Sequence, residues 1–451
     1  MCQKNNSFQF KVIAGFLFFS LSMSSVAMGA GKVRIDMTKQ THQKVKIAVK
    51  GFTLEPNYED PEKLGNQSRK ILVNDLRLSE LFTVLSPNVY SELEKREKGK
   101  RSLDYKGWKQ LGAQWLISTK YKVNPLDKSF NVTFRVYDNA TEQFLLGKRY
   151  TTTKKFLRKI IHRFADEVVM QLTGKRGVAE TKVSFLSKVG NHKEIFVVDF
   201  DGHNLQRLTR ERSVILTPAW SPDGHWIVYT SFAANNPDLL MIGSSGRKKR
   251  RTLLKLPGLN AAPSWSPDGQ RIALVLSKDQ NSEIYVLERD FGLKRLTRHF
   301  NIDTSPTWSP DGKKIAFTSD RSGTGAPQIY IMDVAKGDAG GVRRITFSSR
   351  YNDDPSWSPD GDKIAYTSRQ GKVFQIRVHD LTTKKSTLLT SGPGSNEQPS
   401  WSPDGRFIVY RHREGGQMSV FVKHVGSSSA RQLTFSSGGG YSPAWSPYLK
   451  K

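Results

Sequence analysis

"PSWSPDGQRIALV" (263–275) and "PTWSPDGKKIAFTS" (306–319) are two copies of one phrase, and that phrase decides the fold. Its tryptophan recurs at Trp220, Trp265, Trp308, Trp357, Trp401 and Trp445, at spacings of 45, 43, 49, 44 and 44. A period in the forties with strand-rich units predicts a propeller. Ser-Pro-Asp-Gly reads as a tight turn: Pro presets φ, Ser and Asp bond local amides, and Gly suits the fourth position. The "PxW" ahead of the turn reads as one strand, and the alternating run after it ("RIALVLS", "KIAFTS", "KIAYTS", "FIVYR") as a second. "EIYVLE", "QIYIMD" and "FQIRVHD" supply a third, and "KRLT" (294–297), "RRIT" (343–346) and "RQLT" (431–434) a fourth. Four short strands make one blade, with the tryptophan as an apolar plug between blades. Turn chemistry accounts for the repeated Asp without a catalytic role.

Closure is also legible. "TKVSFLSK" (181–188), "EIFVVDF" (194–200) and "QRLTR" (206–210) precede the first motif tryptophan and match strands two, three and four. The last copy, "WSPYLK", lacks Asp-Gly and supplies strand one only. The expectation is an all-β six-bladed β-propeller over 177–451, closed by N- and C-terminal strands sharing one blade.

A small α/β domain precedes it, over 31–176. "KVKIAV" (44–49), "AQWLISTKYKV" (113–123) and "FNVTFRVYD" (130–138) read as strands, with "EQFLLGKRYTTT" as a hairpin partner. "EDPEKLGNQSRKILVNDLRLSELF" (59–82) reads as a helix, with Pro61 near its start. In 154–174, Phe156, Ile160, Phe164, Val168 and Leu172 recur every four residues, an amphipathic helix stopped by Gly174.

Residues 1–30 have the layout of a signal peptide: Lys4 and Lys11, an apolar run "VIAGFLFFSLSM" (12–23), then small residues "SSVAMGA" (24–30). The run is too short to span a membrane as a helix. The sole cysteine, Cys2, would leave with it, so the exported chain needs no disulfide. The net charge is +29, or +27 after cleavage, which points to anionic partners. "RKKRR" (247–251) is the strongest basic run; it reads first as a solvated loop and second as a contact for anionic envelope lipid. Export argues against nucleic acid.

No catalytic signature stands out: no G-x-S-x-G elbow, no H-E-x-x-H, no phosphate loop, and the nine histidines are scattered. No cofactor is expected. The informative variation lies just before each "PxW": "SVILT" (213–217), "GLNAA" (258–262), "NIDTS" (301–305), "YNDD" (351–354), "GSNEQ" (394–398) and "GGGYS" (438–442). Strand one is innermost, so these segments ring one channel mouth and read as a recognition surface. Asp353, Asp354 and Glu397 gather acid there, a candidate set for a hard cation such as Ca²⁺, with solvated carboxylates as the alternative.

Together, the signal peptide, the small α/β domain and the six blades resemble the TolB family of the bacterial Tol–Pal cell-envelope system. The most specific match is the junction, "RKIIHRFADEVVMQLTGKRGVAETKVSFLS" (158–187), through Arg158, His162, Ala165, Asp166, Glu167, Leu172, Thr173, Gly174, Arg176 and Gly177. The resemblance implies a non-enzymatic periplasmic protein that supports outer-membrane integrity and constriction at division. It implies that the channel mouth binds the peptidoglycan-associated lipoprotein Pal through Leu259, Asn260, Ala262 and Thr304, on a rim extending to Asn352, Asp353, Asn396 and Glu397. It implies too that the segment "KVRIDMTK" (32–39), through Val33, Arg34, Ile35, Asp36 and Met37, binds TolA. Alternation of Val33, Ile35 and Met37 suits addition to a partner's sheet edge. A different reading of the same rim is a secreted propeller that takes a small ligand or glycan in its channel.

Overall fold

The computed structural model describes residues 43–449 apart from 101, 247, 248 and 324. The expected signal peptide, the segment Val33–Met37 and part of the basic run 247–251 lie outside the described residues. Among those described, no helix is long and apolar enough to cross a membrane.

The first domain is a five-stranded sheet of β1 (Val45–Leu54), β2 (Phe82–Val84), β3 (Trp115–Val123), β4 (Phe130–Asp138) and β5 (Gln143–Thr152). Its order is β2-β1-β3-β4-β5, with β1 parallel to both neighbours and the rest an antiparallel meander. Helices α1 (Leu64–Leu78) and α4 (Leu157–Thr173) cover one face, closing Leu72, Leu76, Phe164 and Val168 over Ile47, Val132, Phe134 and Val136. On the other face α2 (Pro87–Glu97) and α3 (Tyr105–Gln110) press Tyr90, Leu93 and Trp108 against Ala48 and Leu116. These two helices carry no clear period in sequence, because α2 buries only Tyr90, Leu93 and Glu97 and α3 only Trp108.

Three helix boundaries differ from the sequence reading, one of them the end of α1, which stops at Leu78 so that Phe82 opens β2. Helix α1 begins after Lys63, whose φ is +54°, and not at 59. The Asp60 carboxylate accepts from the amides of Leu64 (2.8 Å) and Gly65 (2.9 Å), so it caps the helix from outside, and Pro61 belongs to the lead-in. Phe156 sits in a 3-10 turn and is exposed, so the buried stripe of α4 starts at Leu157 and not at Phe156. Gly174 stops α4 at φ +74°, as its position predicts.

Six four-stranded antiparallel sheets follow. The innermost strands of blades one to five are Ile215–Trp220, Asn260–Trp265, Asp303–Trp308, Asn352–Trp357 and Ser395–Trp401. The sixth blade is composite: Tyr441–Trp445 pairs with Lys182–Val189, which leads to His192–Asp199 and Gln206–Arg207. Trp445 lies opposite Val183 and Tyr441 opposite Leu186, the shared-blade closure expected from the repeat.

The propeller core is a set of interblade clusters. Trp308 packs with Ala273, Val275 and Ile284 of the preceding blade, and Trp220 with Leu186, Ile195 and Val197. The indoles do not all bond alike. Trp220, Trp308 and Trp401 donate Nε1–H to the preceding blade's carbonyls at Ala444, Ser264 and Ser356 (3.0–3.1 Å). Between them, Trp357 donates to Gly361 in its own turn and Trp445 to the Thr181 hydroxyl, while Trp265 Nε1 has no partner.

In the turns, Asp268, Asp311 and Asp404 each accept from the motif serine hydroxyl and from the amide two residues on. The repeated Asp is thus a turn residue. These turns face the first domain: Arg406 Nη1 donates to the Ser79 carbonyl (3.2 Å), and Lys175 pairs with Asp360 (2.7 Å). The strand-one starting ends therefore ring the opposite mouth, the free one among the described residues.

The tryptophans give the first test. Trp308→Phe removes the indole bond to the Ser264 carbonyl, whereas Trp265→Phe removes no hydrogen bond. Trp308→Phe should therefore destabilise the fold by about 1 kcal/mol more than Trp265→Phe, read from urea unfolding midpoints. Equal losses would contradict the assigned interblade bond.

Candidate functional site: the channel and its free mouth

Each innermost strand carries an irregularity where residue x of "xPxW" meets its neighbour. Thr217, Ala262, Ser305, Asp354, Gln398 and Ser442 all have φ between +44° and +59°. Proline disfavours the right-handed helical region in the residue before it, and its missing N–H suits a bulge. The bulge brings the six side chains to the channel wall, with both prolines and the tryptophan of every repeat. The channel is about 490 Å³. The variable segments read from sequence each end on one of these six residues, but their left-handed geometry was not foreseen; proline inside a strand pattern was the available signal.

Asp354 is the one ionisable side chain among the channel-lining residues. Burial, then the neighbouring Asp353, holds its carboxyl well above the usual range, with Arg411 pulling the other way.

The rim is built on threonine. Thr209, Thr297, Thr346, Thr390 and Thr434, from the "LT" and "IT" of strand four, each accept from a strand-three amide at 2.8–3.0 Å. Thr346 and Thr390 donate to Gln328 and Gln375, which accept in turn from Asn352 (2.8 Å) and Asn396 (2.7 Å). Asn260 bonds the carbonyls of Leu256 (2.8 Å) and Gly258 (3.1 Å). Asn260, Asn352 and Asn396 are therefore buried anchors of the rim loops, although the sequence presents them as rim contacts. Leu259, Ala262, Thr304, Asp353 and Glu397 remain half-buried at the mouth.

The acids do not form the cage considered for a hard cation. Glu397 pairs with Arg411. Asp353 accepts from Thr318 (2.8 Å), Tyr351 (3.2 Å) and the Asp354 amide (2.6 Å). Among the described residues, the group that does converge is Asp75, His162 and Asp201, at the domain junction. His162 Nδ1 is 2.7 Å from Asp75 on α1, and its Nε2, without a hydrogen-bond partner, faces Asp201 of the propeller at 3.9 Å. Arg158 pairs with Asp201 as well, and His203 lies 3.4 Å from it. Carboxylates at opposite edges of one ring, with a guanidinium already on Asp201, suit a proton on the imidazole better than a metal.

Burial opposes that proton, but the hydrogen bond and charge of Asp75, joined by Asp201, hold the His162 pKa above its ordinary value. Burial likewise raises the Asp75 carboxyl. Close by, Asp166 accepts from the amides of Ala179 (2.7 Å) and Glu180 (3.1 Å), with burial pushing it to about 7. A Cβ on Gly177 would meet Asp166 at 2.4 Å, so the chain there has room only for glycine.

A closed ring with a sculpted free mouth, clamped to a small α/β domain, defines a two-domain propeller scaffold. Comparison with known proteins agrees. Residues 169–449 match the family described as TolB beta propeller domain, and residues 33–145 the TolB amino-terminal domain. The chain belongs to the TolB family. It is 38% identical over 257 residues to the Tol-Pal system protein TolB of Desulfosudis oleivorans, covering 56% of this chain and 58% of that one. It is 34% identical over 234 residues to that of Bordetella pertussis, covering 51% and 52%. The chain thus spans a little over half the length of the curated relatives it matches. The crystal structure of TolB from Acinetobacter baumannii superposes with a TM-score of 0.76 at 28% identity, covering 92% of this chain and 99% of that one.

Two tests follow from these charges. A raised carboxyl means the folded state keeps a proton that the unfolded chain releases, so stability falls as pH rises above the ordinary carboxylate value of about 3.9. Asp354→Asn, which tolerates the left-handed backbone, should raise the unfolding midpoint at pH 7 and lose that advantage below about pH 4. The His162–Asp75 pair has the same sign. Its contribution is complete below about pH 6.5 and is lost as pH rises through the raised histidine value. His162→Gln should flatten the fall in urea midpoint above that pH; parallel slopes would contradict the clamp.

Proposed function

We propose that this chain is a non-enzymatic periplasmic component of the Tol–Pal system that links partners by protein–protein contact. Its free mouth takes the lipoprotein Pal, and the segment Val33–Met37 takes TolA, supporting outer-membrane integrity and constriction at division. The observation that carries the reading is the free mouth itself. Rim loops locked from beneath by a threonine–amide network present Leu259, Thr304, Asp353 and Glu397 on a rigid ring, on the face turned away from the first domain. Family membership supports a Tol–Pal partner, and the chemistry of the rim is that of contact, since its acids are paired or hydrogen-bonded within the fold.

The channel supports a second reading. Its volume of about 490 Å³ falls in the range of ligand pockets, and its tryptophan and proline walls suit the face of a sugar ring.

Calorimetry of the exported chain with the soluble domain of the same organism's Pal tests the first reading, with residues 32–39 present and deleted. Binding should occur at one site and change on deletion. Thr304→Arg should weaken it about ten-fold or more at an unchanged melting temperature. No binding by either form would move the channel reading to the front.

A further inference from the structure

The free face carries a feature that the mouth residues do not explain. Loops joining each outermost strand to the next innermost one cross this face. On two neighbouring loops, flanking blade three, stand Phe300 and Phe347, 86% and 74% exposed, with Ile302 exposed beside them. Phenylalanine so far out of a folded surface is unusual, and both rings are held. Phe300 stacks on His299 with centroids 4.4 Å apart at 27°, and the Arg344 guanidinium lies 4.8 Å from the centre of Phe347. The backbone beneath is fixed by Thr297 and Thr346 of the rim network. They are pre-set anchors, and pre-setting lowers the ordering cost of a contact.

The charge around them is one-sided. Arg298 and Arg350, on the loops, and Arg369 and Arg413, at the ends of the second strands of blades four and five, are exposed on the same face, and among the described residues none of the four forms an ion pair. The exposed carboxylates there, Asp279 and Glu414, have partners in Lys278 (3.0 Å) and His412 (3.3 Å). Arginine and aromatic residues are the types enriched where proteins meet. A guanidinium also matches a carboxylate as a two-pronged fork.

We infer that Phe300 and Phe347 anchor a protein partner whose contacting face is acidic with apolar sockets, the arginines pairing with its carboxylates around the sockets. This rests on the free mouth being the partner site. A folded partner fits because the anchors stand beside an opening flanked by half-buried Leu259 and Thr304; a flat bilayer would bridge such a funnel and leave its wall untouched.

The probe is the soluble domain of Pal, titrated into the exported chain, with phosphatidylglycerol vesicles in a parallel sedimentation assay. Phe300→Ala and Phe347→Ala should each weaken binding about ten-fold at an unchanged melting temperature, since neither ring is buried. Arg350→Glu with Arg413→Glu should weaken binding and reduce its loss on raising salt from about 50 to about 300 mM. Wild-type affinity in both phenylalanine variants, while Thr304→Arg abolishes binding, would overturn the anchors and leave the mouth site standing. Failure of the wild type to bind Pal would remove the mouth reading and this inference together. Vesicle binding that is lost in the phenylalanine variants would assign the face to a membrane and overturn the protein partner.

Discussion

The pairing of Tyr441–Trp445 with Lys182–Val189 keeps the ring shut, and the rest of the molecule leans on it. The Lys182 amide donates to the Ser446 hydroxyl and its carbonyl accepts from the Ser446 amide, at 2.9 and 2.8 Å, while the Trp445 indole reaches Thr181. Unpaired, the sixth blade would present a bare edge, the standing hazard of an open sheet. The same seam reaches the domain junction. Tyr448, just past the last strand, donates to the Arg176 carbonyl (2.8 Å), and the Arg176 guanidinium lies over its ring. Ring closure and domain attachment therefore meet at Arg176 and Tyr448.

Closure also shapes the channel. Six strands converging on one axis leave little width, and each bends at its pre-proline residue. A left-handed backbone at a residue other than glycine costs of order 1 kcal/mol or more. The ring carries six such residues, held in place by the interblade clusters around them. What the arrangement yields is a wall of twelve prolines and six tryptophans with a narrow band of variable side chains. Evolution can alter that band without touching the packing.

The architecture was legible because its signal is redundant: the same turn, plug and alternating strand recur in copy after copy, and the defective last copy marks the seam. The junction was legible as a resemblance, and the structure supplies its physics. His162, Arg158, Asp166 and Gly177 are there because buried charges must be answered in kind and because a Cβ has no room. What the sequence concealed was direction. Asn260, Asn352 and Asn396 fall in the right segments, but alternation within an irregular, bulged strand cannot say which side chain turns inward, and all three turn into the blade. Phe300 and Phe347 carry no signal in the sequence for a related reason. Apolar residues following a strand pattern read as core until the loop's path is known. Helices α2 and α3 were silent because a helix that buries one to three side chains leaves almost no period.

The span of the seam has a temporal meaning. The residues it joins lie 264 positions apart along the chain, so almost the whole propeller must be present before the sixth blade can exist. Folding dominated by such distant pairing is slow, and a growing chain cannot finish early. Rigidity of the ring therefore waits on the strand Tyr441–Trp445, and the chain stays pliant until that strand has been made.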